Sequence, residues 1–127
     1  MFLGIDTSCY TTSLAVLDAQ GRLLSEQRTL LTVPQGERGL RQADGVFQHL
    51  QNLPPLAEAL AAEVGKLSVE AVAVSTRPRP VEGSYMPVFT VGTSFARSLA
   101  ATLSVPCLSL SHQEGHILAG MWSAAVE

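Results

Sequence analysis

Phe2-Leu3-Gly4-Ile5-Asp6-Thr7-Ser8-Cys9-Tyr10-Thr11-Thr12-Ser13-Leu14-Ala15-Val16-Leu17-Asp18-Ala19-Gln20-Gly21 is the stretch on which the fold turns. An apolar run over residues 2–6 ends in an acid, Thr7 to Thr11 is a polar turn, and Thr12 to Leu17 is a second apolar run. Asp18 to Gly21 reads as a hairpin turn, with Gly21 free to take positive φ. A third strand follows over Arg22 to Leu31, and three strands joined by tight connections make an antiparallel meander. Gly4 stands alone before Asp6, so no dinucleotide-binding glycine pattern opens the domain.

Working outward, Val46, Leu50, Leu53, Leu56, Leu60 and Val64 recur at spacings of three and four, the stripe of an amphipathic helix. Pro54-Pro55 interrupts that stripe and predicts a break or kink, because proline removes a backbone donor and crowds the preceding turn. Val69 to Thr76 reads as a buried strand and Arg77 to Pro87 as a proline-stiffened loop. Val88 to Leu103 is a helix with Val91, Phe95 and Leu99 on one face, Val105 to Leu110 a last strand, and His112 to Ala125 a last helix. The order β-β-β-α-β-α-β-α predicts an α/β domain whose later strands run parallel, with helices crossing over.

The chain has 127 residues, one domain by length, and is 46% hydrophobic and 15% charged, which excludes a disordered tail. Eight Lys+Arg against 11 Asp+Glu give a net charge of −3, which argues against a self-sufficient nucleic-acid binder. Two cysteines are too few for a disulfide scaffold, and both are expected to be small buried hydrophobes. No stretch reads as a membrane helix and no signal peptide is recognisable, so the expectation is a cytoplasmic protein without a membrane partner.

Three features carry chemistry. His112 and His116 stand at i and i+4 in Ser111-His112-Gln113-Glu114-Gly115-His116. On a helix they share a face and suit Fe²⁺ or Zn²⁺; the alternative is two surface histidines sharing a turn. Asp6, at a strand end beside Thr7-Ser8, suits Mg²⁺ and phosphate, or else caps the turn. The loop Arg77 to Pro87 carries two arginines, and Gly83-Ser84 ahead of a helix suits an anion; a solvated loop is the bland alternative. His49, on the long helix, is expected to be solvated or half-buried.

Together these segments resemble the tRNA threonylcarbamoyladenosine transferases, once described as O-sialoglycoprotein endopeptidases or glycoproteases. Leu3 to Cys9 is similar to that family's opening Gly-Ile-Glu-Thr-Ser-Cys. Arg97-Ser98, Leu103, Pro106, Leu108, His112, Gly115, His116 and Ile117 fall at the spacing of its signature, with Ser104 the one departure there. Tyr10-Thr11 replaces an acidic pair, and Arg77-Pro78-Arg79-Pro80 replaces a Gly-Pro-Gly turn.

The resemblance implies an actin-like ATPase (ribonuclease H-like) lobe with a mixed five-stranded sheet, the β1–β3 meander being antiparallel. The expectation is a single N-terminal lobe over residues 1–127 of a longer protein whose second lobe is absent, and which is inactive by itself. The resemblance selects the metal reading of His112 and His116, makes Asp6 the catalytic acid, and puts Thr7, Ser8, Cys9, Gly83 and Ser84 beside nucleotide or substrate. It implies a divalent metal (Fe or Zn), ATP with Mg²⁺, threonylcarbamoyl-adenylate and tRNA as cofactor and ligands. It also implies a homodimer or a heterodimer with a related lobe. The alternative is a catalytically degenerate paralogue acting as a scaffold in tRNA modification.

Overall fold

The computed structural model describes residues 1–8, 10–33, 35–36, 39–79 and 86–112. The chain runs β1 (Phe2–Asp6), β2 (Thr11–Leu17), β3 (Leu23–Leu30), α1 (Gln42–Val64), β4 (Ala71–Arg77), α2 (Val88–Leu103) and β5 (Cys107–Ser111). One five-stranded sheet has the order β3-β2-β1-β4-β5. β1–β2 and β2–β3 are antiparallel, while β4 lies parallel to β1 and β5 parallel to β4. The expected mixed sheet and meander are both present. Beyond His112 the expected last helix lies outside the described residues.

The β2–β3 turn forms for the reason the sequence suggests. Gly21 takes φ +79°. The Asp18 carboxylate accepts the N–H groups of Gln20 and Arg22 at 2.9 Å each and the Arg22 Nε–H at 2.7 Å. These bonds, that from the Arg22 backbone N–H foremost, hold the Asp18 carboxyl below its ordinary value.

Both helices pack on one face of the sheet. Alternate residues of β1, β2 and β4 (Leu3, Ile5, Leu14, Val16, Val72, Val74) meet Leu53, Leu56 and Leu60 of α1 and Val91, Ala96 and Ala100 of α2 in a single core. The other face has a floor of small residues, with Gly4, Ser13, Ala15, Ala73 and Ser75 lining a trough that Asp6 and Leu110 border. No helix among the described residues is long and apolar enough to cross a membrane.

Three expectations are corrected. α1 continues through Pro54 and Pro55 without a break. The carbonyls deprived of a donor are those of Leu50 and Gln51, and these residues and both prolines lie on the exposed side, where water serves them. His49 is completely buried: Gly45, His49 and Leu53 succeed one another at four-residue intervals on the inner face, while Leu50 is 55% exposed. The imidazole is accommodated because its Nδ1 lies 2.8 Å from Thr12 Oγ1, which also accepts the Asn52 amide at 3.1 Å. Cys107 is exposed rather than buried, because it opens an edge strand whose first three residues face solvent. Cys9 lies outside the described residues.

Candidate functional site

Parallel strands end on the same side of a sheet, so the C-terminal ends of β1, β4 and β5 gather Asp6, Ser75 and Ser111-His112 at one edge. In open α/β sheets ligands bind outside these ends.

Asp6 and His112, 106 residues apart, meet there, with Oδ2 of the acid 3.2 Å from Nδ1 of the imidazole. Each side chain is about one-third exposed, at 33% and 28% respectively. Ser8 joins them twice: its N–H donates to Asp6 Oδ1 at 2.7 Å, and its hydroxyl lies 2.7 Å from His112 Nδ1. From below, the Ser75 hydroxyl donates to Asp6 Oδ2 at 3.1 Å. The ring of His112 stands edge-on to Phe89 with centroids 6.5 Å apart.

A nitrogen 3.2 Å from a carboxylate oxygen is repelled if it presents a lone pair, which favours the tautomer with its proton on Nδ1; the Ser8 hydroxyl, nearer at 2.7 Å, accepts from Nδ1 in that tautomer and donates to it in the other. A Ser-His-Asp nucleophilic relay is excluded by the same geometry. That relay needs serine and acid on opposite ring nitrogens, whereas here both address Nδ1. A carboxylate-held imidazole offering Nε2 is the usual setting of a metal-ligating histidine, and the donor set fits a divalent metal in that respect. Among the described residues no three His, Cys, Asp or Glu side chains gather into a complete metal site.

Thr7 has a different position from its neighbours. It is completely buried, donates its hydroxyl to the Val88 carbonyl at 2.9 Å and accepts the Gly92 N–H at 3.0 Å. It locks the end of β1 to the first turns of α2. Cys9, Gly83, Ser84 and His116, also expected near the site, lie outside the described residues. Ser75 was not legible as a site residue. Its only signal is that β4 runs parallel to β1 with Ile5 opposite Val74, which sets residue 75 beside Asp6.

A sheet of order 3-2-1-4-5, with an antiparallel meander and helices α1 and α2 leading into the parallel strands, is that of an actin-like ATPase (ribonuclease H-like) lobe. A solved structure described as YeaZ from Pseudomonas aeruginosa superposes with a TM-score of 0.60 at 26% identity, covering 87% of this chain and 43% of that one. The family model for tRNA N6-adenosine threonylcarbamoyltransferase (TsaD) matches residues 42–126. A protein of that name from Christiangramia forsetii is 35% identical over 119 residues, covering 92% of this chain and 33% of its own length. Its counterpart from Variovorax paradoxus is 31% identical over 130 residues, covering 98% of this chain and 36% of its own length. The chain belongs to the tRNA N6-adenosine threonylcarbamoyltransferase family. It spans about a third of the length of these relatives.

Proposed function

We propose that this chain is the N-terminal lobe of a metal-dependent enzyme that transfers a threonylcarbamoyl group to a tRNA adenosine. The observation that carries the reading is the Asp6–His112 pair at the shared end of β1 and β5, with Nδ1 of the imidazole at the carboxylate. His112 through Nε2, and His116 four residues later, supply two ligands to Fe or Zn; further ligands come from outside the lobe. The bound metal would polarise the carbamoyl carbonyl.

The chain's own residues do the rest. Asp6 keeps His112 in the required tautomer, and its partly exposed carboxylate is an acceptor for the proton that the attacking adenosine amine gives up as the carbamoyl C–O bond of the adenylate breaks and AMP leaves. Ser8 fixes that carboxylate through its N–H. Cys9, Gly83 and Ser84 border the nucleotide, ATP or threonylcarbamoyl-adenylate. Phe47 and Leu50, 59% and 55% exposed on α1, suit pairing with a related lobe.

The test replaces the chromosomal gene by His112→Ala and quantifies threonylcarbamoyladenosine in total tRNA by nucleoside mass spectrometry. A marked fall is expected. Unchanged modification, with the variant protein present at parental levels, overturns the enzyme reading in favour of a scaffold role. Metal analysis of the purified full-length protein should give one Fe or Zn per chain, lost in the His112→Ala/His116→Ala double variant.

A further inference from the structure

We propose that Ser75 is a positioning residue: its hydroxyl anchors the Asp6 carboxylate, which in turn holds the His112 ring with its proton on Nδ1 and its lone pair on Nε2. The inference rests on the metal-site reading of His112 given above.

A carboxylate at the end of a strand turns readily about its last torsion, whose preferences are broad. Asp6 is held at both oxygens. The Ser8 N–H ties Oδ1 at 2.7 Å, and Oδ2 receives the Ser75 hydroxyl at 3.1 Å beside the His112 Nδ1 at 3.2 Å. Ser75 is therefore the protein group that fixes the same oxygen the imidazole addresses. It is 8% exposed, so its hydroxyl acts from within the sheet rather than from solvent.

The backbone supports this aim. Ile5 registers with Val74, which places Ser75 beside Asp6. Directly after Ser75 the pairing of β4 with β5 shifts: Ser75 lies opposite Leu110 and Arg77 opposite Ser111, so the residue between them is extra. Irregularities of this kind re-aim side chains at sheet ends, and here the shift falls where β5 delivers His112. His112 is the residue immediately after the strand, so side-chain partners rather than ladder bonds decide how its ring sits.

The experiment reads the ring directly. In ¹⁵N-labelled protein, long-range ¹H–¹⁵N correlations distinguish the two tautomers of a neutral imidazole. The His112 signals are assigned by their loss in His112→Gln. The parent should show the Nδ1–H form, Ser75→Ala should populate the Nε2–H form, and Ser75→Thr, which keeps the hydroxyl, should restore the parental pattern. Ser109→Ala removes a neighbouring hydroxyl, 2.6 Å from Thr76 Oγ1, and should leave the tautomer unchanged. In parallel, Zn²⁺ affinity of the full-length protein, measured against a chelator, should weaken in Ser75→Ala by less than the roughly 10–100-fold that losing a ligand's direct outer partner costs.

An identical tautomer distribution in the parent and Ser75→Ala overturns the proposal. An equal shift in Ser109→Ala does so too, since it would reveal general disturbance of the strand ends. If the full-length parent binds no Zn²⁺, the metal reading of His112 falls, while the tautomer comparison still decides the role of Ser75.

Discussion

Adding one methyl group at Gly92 tests the lock between β1 and α2. A Cβ there would lie 2.8 Å from Thr7 Oγ1, 3.3 Å from Thr7 Cγ2 and 3.4 Å from Val74 Cγ2. Thr7 cannot swing aside at little cost. It is completely buried and β-branched, and its hydroxyl is held between the Val88 carbonyl at 2.9 Å and the Gly92 N–H at 3.0 Å. Overpacking of this kind costs about 1–3 kcal/mol. Displacing a buried hydroxyl from its partners adds about 1–3 kcal/mol. Against these, replacing a mid-helix glycine by alanine returns about 1 kcal/mol. The steric and hydrogen-bond costs win, and Gly92→Ala should be destabilised by about 3 kcal/mol.

Thermal unfolding followed by circular dichroism should show a melting temperature lower by roughly 10 °C for a domain of this size. Thr7→Ala removes both of the nearest clashing atoms, so the double variant should lose less than the sum of the singles, with a coupling of at least about 1 kcal/mol. A Gly92→Ala protein as stable as its parent, or additive losses in the cycle, would refute the reasoning. Thr7 would then be a buried side chain that shifts at little cost rather than a lock.

Two further substitutions test the corrected parts of the fold. Thr12→Val keeps the shape but removes the hydroxyl that His49 Nδ1 and the Asn52 amide share, and urea titration should show a loss of about 1–3 kcal/mol; an unchanged midpoint would mean that the buried imidazole does not depend on Thr12. Pro55→Ala restores a donor to the Gln51 carbonyl within an uninterrupted α1 and should stabilise the protein by about 2 kcal/mol in the same titration, whereas a loss would mean that the proline ring makes packing contacts of its own.

Local patterning made much of the molecule legible. The meander followed from two apolar runs broken by polar turns, and Gly21 sits at positive φ where the hairpin needs it. The helix over Val88–Leu103 matched its apolar spacing to the residue. Asp6 and the histidine motif stood out because acids at strand ends and imidazoles at i and i+4 are chemically conspicuous whatever the fold.

Other features depend on partners far away in the chain, and no local pattern encodes them. His49 looks like a surface residue until Thr12 is seen opposite it, 37 residues away. Pro54-Pro55 reads as a helix breaker, yet α1 runs through both prolines, and the carbonyls they orphan lie on the exposed side of the helix. Ser75 is one serine among many until the parallel register of β1 and β4 sets its hydroxyl on Asp6 Oδ2, across 69 residues of sequence. By itself the sequence determined the strands and helices of the described residues, the mixed sheet and the acid and imidazole available for chemistry, because those follow from periodicity and residue type. Tertiary structure alone decided which oxygen meets which nitrogen. Hydrogen bonds are selected by distance and angle, and strand register and helix packing set both only once the chain has closed on itself.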